Sequence, residues 1–177
     1  ERAPFELMVS TAAAGGSEFV TGEDLRKRVS ALRAAQLEVT PLSEGVVSVK
    51  VTSADAGKFS LMMPEGTAIA EVDNWYAWDG NKVYLPRSGG EYTVRTNTSP
   101  VTVTRITDLP QRAELLSVSG NGVTLNFSFV GEGQVTVALN ESSGPLQALG
   151  ADSFERNGSV MKLNFHSQGT HVVSIFR

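Results

Sequence analysis

Trp75-Tyr76-Ala77-Trp78-Asp79-Gly80-Asn81 places both tryptophans and one tyrosine of this chain within four positions and closes on a turn dipeptide. Flat indole and phenol rings beside a turn can stack on the apolar face of a sugar, while Asp79 and Asn81 hydrogen-bond its hydroxyls. Tyr84, Tyr92 and Arg95 fall on the strands expected next and are candidate members of the same ligand-binding patch. In an extended segment Trp75 and Ala77 share one face, and Tyr76 and Trp78 the other. At least one large ring is then expected near solvent or an interface. The competing reading is that the rings plug the gap between sheets or dock the N-terminal helix, since Trp is highly buried on average.

Catalytic chemistry finds little to stand on. There is no Gly-x-Ser-x-Gly elbow, no phosphate-binding glycine loop, no His-Glu-x-x-His and no cysteine nucleophile. Asp73 and Asp79 flank the aromatic cluster and have the form of a glycosidase carboxylate pair, but Asp79-Gly80 is also an ordinary turn. His166 and His171 would face each other across a closing hairpin, yet a zinc site needs a third protein ligand and no motif supplies one. The expectation is no catalytic residue, no metal and no cofactor, with a cryptic Asp and His enzyme site as the remaining alternative.

Bulk composition narrows the partners. With 15 Lys and Arg against 19 Asp and Glu, the chain lacks the basic excess that phosphate neutralisation demands, so neither nucleic acid nor an anionic membrane surface is expected. Apolar runs such as Val123 to Val130 fall well short of the roughly 20 residues a membrane helix needs. Zero cysteines leaves the compartment open. The chain starts at Glu1 with no Met and no basic-then-apolar leader, and reads as a piece of a longer protein.

The elements that must position the rings come from periodicity. Residues 1–40 read as an extended segment, Phe5 to Thr11, a small-residue loop, Ala12 to Ser17, and one helix. That helix opens at Thr21-Gly22-Glu23-Asp24, a capping arrangement with acidic groups at the positive helix start. Leu25, Val29, Leu32 and Gln36 recur at helical spacing and predict a packed face. From Pro41 the period becomes two: Val47, Val49 and Val51, then Phe59, Leu61 and Met63, alternate with mostly polar neighbours. Further strands are expected at Ala68 to Val72, Lys82 to Leu85, Glu91 to Thr96 and Val101 to Thr107.

Asp108-Leu109-Pro110 marks a boundary. Beyond it, Ala113 to Ser119, Val123 to Val130 and Gln134 to Leu139 predict a meander, with Val123, Leu125, Phe127 and Phe129 as its apolar face. Ser153 to Arg156, Val160 to Phe165 and Thr170 to Phe176 follow, the last two read as a hairpin turning at Ser167 to Gly169. The second segment thus has nearly the strand count of an immunoglobulin-like sandwich, without its Cys and Trp markers.

Phe5-Glu6-Leu7-Met8-Val9 with the helix from Thr21 to Val29 is similar to the last strand and helix of a catalytic barrel running into appended β modules. Trp75 to Gly80, Lys82-Val83-Tyr84-Leu85-Pro86 and Gly89 to Val94 resemble the C-terminal β-sandwich regions of bacterial polysaccharide deacetylases and glycoside hydrolases that process exopolysaccharide. The resemblance covers about residues 5 to 107. It implies an extracytoplasmic accessory region that holds a glycan or braces a catalytic domain outside this chain; the Asp and His metal motifs of such deacetylases are missing here.

The reading is a mainly β protein built as an antiparallel β-sandwich, jelly-roll or immunoglobulin-like. It comprises an N-terminal strand-loop-helix segment (1–40), a first β module (41–109) and a second (110–177), or one jelly roll over 41–177. Its expected role is non-catalytic binding or positioning of a polysaccharide or oligosaccharide, secreted, periplasmic or at the cell surface. The alternative is a structural domain of a surface fibre or appendage, associating through sheet edges.

Overall fold

Residues 2–14, 21–96, 98–140 and 146–177 are described in the computed structural model, and the chain divides into two compact units, Glu1–Ser30 and Ala31–Arg177. The first element is a helix, α1 (Arg2–Ala14), so Phe5 to Thr11 is helical and not extended. Phe5, Leu7, Met8 and Val9 are apolar without strand alternation, and the Glu, Leu, Met and Ala content favours a helix. Of the small-residue loop, Ala12 to Ala14 end this helix, and positions 15–17 lie outside the described residues.

Helix α2 (Gly22–Ala34) starts where its cap predicts: the Asp24 amide donates to Thr21 Oγ1 at 3.1 Å, and Glu23 and Asp24 occupy the first turn. No residue of α2 is buried, and Leu25 and Leu32 are largely exposed.

Residues 31–177 are mainly β, in antiparallel sheets. One sheet has the order β1 (Gln36–Ser43), β2 (Val46–Thr52), β7 (Gly89–Arg95), β4 (Glu71–Val72). A small one orders β3 (Ser60–Met62), β6 (Lys82–Tyr84), β5 (Trp78–Asp79). The largest orders β11 (Gln147–Leu149), β13 (Val160–Phe176), β10 (Leu125–Ala138), β8 (Arg105–Asp108), with β12 (Ser153–Asn157) also on β13 and β9 (Glu114–Gly120) also on β10.

β1 takes in Gln36, placed on the helical repeat in the sequence, and crosses the boundary expected at residues 40 and 41. Leu37 and Val39 oppose Val51 and Val49 of β2, which are buried, so all four side chains share one sheet face. β1 carries this apolar face past the end of the core, and every one of its residues is exposed. Pro41, with no N–H to offer a ladder, is tolerated on such an edge.

The first two strands of the meander pair as expected, β9 with β10 across residues 121–124, but its third strand continues the second and the closing hairpin is one long strand. β10 passes through Gly131-Glu132-Gly133 without turning, and β13 passes through Ser167 to Gly169. They pair on both sides of an irregularity at Glu132 and residues 166–168, Phe127 with Val173, Gly131 with Gly169 and Val135 with Leu163. The turn-rich composition marks a bulge between Gly131 and Gly133, where Gly133 takes φ +112°, which lets the ladder bend without ending. This register puts Val173 and Ile175 opposite Phe127 and Leu125, so the last strand buries one face only.

Two apolar clusters result. Val49, Val51, Val72, Trp78, Val83 and Val94 belong to the first; Leu125, Phe127, Phe129, Val135, Leu163 and Val173 belong to the second. At about 1.5–3 kcal/mol for each large side chain buried, the second cluster is a major source of stability. The segment at Asp108-Leu109-Pro110 does not separate them. Ile106 and Ala77, from before it, lie in the second cluster, and β8 pairs with β10 beyond it.

Candidate functional site

The aromatic segment leaves β4 through a turn at Asn74, whose φ of +55° is a left-handed conformation that Asn tolerates better than most side chains. The turn aims Trp75 inward. Its indole N–H is shared between the carbonyls of Ala77 at 3.1 Å and Tyr84 at 3.0 Å, and its ring meets Tyr92 edge-on at 5.3 Å. Trp75 is half-buried and packs against both apolar clusters.

The other predicted residues separate. Trp78 is 1 % exposed, inside the first cluster, and the Arg105 guanidinium lies 4.0 Å over its ring while Arg105 Nε donates to the Trp78 carbonyl. A ring so enclosed presents no face to a ligand. Its indole N–H is buried with no hydrogen-bond partner among the described residues. Asp79 is exposed, with Arg105 at 3.7 Å. Burial pulls the Arg105 guanidinium below its ordinary range, and Asp79 partly restores it.

Tyr76 packs on the second cluster, and Asn81 is bound through Nδ2 to the Met63 carbonyl at 3.2 Å. Tyr84 directs its hydroxyl toward the Thr107 carbonyl and Asp108 Oδ1, at 3.1 and 3.2 Å. Burial raises the phenol pKa of Tyr84 and of Tyr92, with Asp108 adding to the effect at Tyr84. Arg95 grips Asp73 with two bonds of 2.8 Å.

What the structure brings together is a shallow groove lined by Asp73, Asn74, Trp75, Glu91, Tyr92 and Thr93. β4 pairs only with Val94 and Arg95 of β7, so on that edge the Glu91–Thr93 stretch has no paired strand among the described residues, only the Asp73 amide bound to the Thr93 carbonyl. Asp73 is held below the usual carboxylate range chiefly by the hydrogen bond from Arg95. It therefore stays an acceptor and is unsuited to donate a proton at neutral pH. Glu91 and Thr93 are neighbours of Tyr92 in sequence, but strand alternation sets their side chains on the opposite face from it, so period gave no reason to join them to the patch. Asn74 carried no signal either.

The two aspartates do not act as one pair, since Asp73 is bound to Arg95 and Asp79 lies near Arg105. The histidines are not opposite one another either. His171 faces Phe129 across the ladder, with Nε2 3.0 Å from the carbonyls of Gly131 and Ser167, while the His166 amide donates to Asp152 Oδ2 at 2.7 Å. Among the described residues no three His, Asp or Glu side chains converge on a point suited to a metal.

Compared with known protein families, characterised proteins and solved structures, the chain finds no match.

Proposed function

We propose that this chain is a non-catalytic module that binds a glycan in the groove at Asp73–Trp75 and Glu91–Thr93, positioning a polysaccharide for an extracytoplasmic processing activity carried outside it. The observation that supports this is one half-buried indole beside two carboxylates, a carboxamide and a hydroxyl on an open strand edge. An aromatic wall with fixed hydrogen-bonding groups of this kind suits a sugar, which presents an apolar face and a rim of hydroxyls. The ligand contacts move from the three-ring platform to Trp75, with Asp73, Asn74, Glu91 and Thr93 as polar partners.

Affinity electrophoresis through gels containing neutral and acidic polysaccharides tests it. Wild type is expected to be retarded, and Asn74→Ala and Glu91→Ala, both exposed positions, to lose most of that retardation with unchanged circular dichroism. Absence of retardation in every gel, or equal retardation of both variants and wild type, would sink the proposal.

A structural role is the second reading, favoured by one observation. The inner face of β1 carries Leu37 and Val39 at more than half exposure beyond the edge of the core. Soluble monomers seldom leave such faces uncovered, and a free strand edge is a template for pairing.

A further inference from the structure

A second cleft, of about 420 Å³, opens between Tyr84 of β6 and the segment around Asp108, within the range of small-molecule sites. Lys58, Lys82 and Asp108 are the charged residues of its lining, and the carboxylates of Asp79 and Glu114 lie outside it. Lys58, at one wall, is paired with Asp55. Asp79, opposite Lys82 in the β5–β6 ladder, lies 3.7 Å from Arg105. Glu114, at the β9 end, is bound to Arg87. Asp108 accepts from the Tyr84 hydroxyl. Lys82 is thereby left with no carboxylate partner among the described residues, its ammonium 5.5 Å over the Tyr84 ring. Gln134 also lines the cleft, its Nε2 donating to Asn164 Oδ1 at 3.0 Å.

The cleft thus has a cationic end at Lys82 and an anionic end at Asp108, joined by a phenol ring whose hydroxyl is already committed. At the Lys82 end an ammonium offers three N–H donors and no lone pair, and at the Asp108 end a carboxylate offers acceptors only. The complementary ligand is acceptor-rich at one end and hydroxylated at the other. We infer that this cleft binds a carboxylate-bearing sugar, its carboxylate on Lys82 and a hydroxyl on Asp108, with the ring lying along Tyr84. The choice of a sugar rests on the glycan reading above; the site is separate from the Trp75 groove, so the two fail separately.

The test titrates the whole chain with a homogeneous oligouronate and with its carboxyl-reduced neutral counterpart, by calorimetry, on wild type, Lys82→Ala, Lys82→Arg and Glu91→Ala. Wild type is expected to bind the oligouronate saturably, Lys82→Ala at least about tenfold more weakly, Lys82→Arg within about threefold, and the neutral sugar at least about tenfold more weakly than its acidic parent. Near-ultraviolet circular dichroism checks that each variant keeps its packing. Equal binding by Lys82→Ala and wild type overturns the site, as does equal binding of acidic and neutral sugars. Loss of binding in Glu91→Ala with none in Lys82→Ala sustains the Trp75 groove and overturns this cleft. A wild type that binds neither sugar overturns the cleft as well.

Discussion

Trp75 and Trp78 are three residues apart and have different roles. Trp78 is enclosed by the first cluster and by Arg105, so Trp78→Ala removes a large core side chain and is expected to cost about 3–5 kcal/mol of stability in urea unfolding. Iodide quenching separates the two indoles. In Trp75→Phe the remaining emission should resist iodide; quenching as strong as that of free tryptophan would contradict the enclosure of Trp78.

Asp73 gives a pH prediction. Its carboxyl titrates lower in the folded chain than in the unfolded one, because Arg95 donates to the ionised form. The stability it contributes is complete above the unfolded carboxyl pKa and is lost as pH falls through the lower, folded value. Asp73→Asn should therefore flatten part of the acid limb of the stability curve. The effect on unfolding at neutral pH should be about 1 kcal/mol or less, since the pair is partly solvated. An unaltered acid limb would show that the ion pair is not formed in solution.

At the scale of elements, β1 and the bulge in β10 carry the argument. Leu37→Lys and Val39→Lys place charge on an exposed face, so each should change stability by no more than about 0.5 kcal/mol. If β1 is an assembly surface, light scattering should show wild type associating with rising concentration and Val39→Lys remaining monomeric; identical scattering by both removes the self-association form of the structural reading.

Gly89, at the start of β7, has φ +70°, and a Cβ there would collide with the Val51 carbonyl of β2. Gly89→Ala is expected to destabilise by more than about 1 kcal/mol, through strain and displacement of the β2–β7 ladder. β1 holds no glycine and is misread because Gln36 extends the helical spacing, whereas the bulge in β10 is misread as a turn. Local composition reports conformational freedom, and a glycine pair serves a bulge as well as a turn.

At the scale of the whole molecule, the aromatic segment is one of the places where residues 31–177 join two apolar clusters. Trp75 packs on both, Ala77 forms a parallel bridge with Ile106, and the Ile106 amide donates to the Tyr76 carbonyl at 2.8 Å. Unfolding of one cluster then exposes the flank of the other. Tryptophan fluorescence and far-ultraviolet circular dichroism should report the same urea midpoint, as expected for a cooperative unit. Separated midpoints would mean that the segment links two independently stable halves.

The sequence alone determined the β class, most strand positions after residue 46, the cap of α2 and the apolar face of Leu125, Phe127 and Phe129, because period, capping and turn chemistry are local properties. It also singled out the aromatic segment. Which ring is enclosed depended on partners far along the chain: Arg105 covers Trp78, Tyr92 flanks Trp75, and β13 crosses the whole of β10. Those contacts follow from how strands are ordered in the sheets. Strand order is set by burial summed over the assembled unit, and no window of neighbouring residues contains that sum.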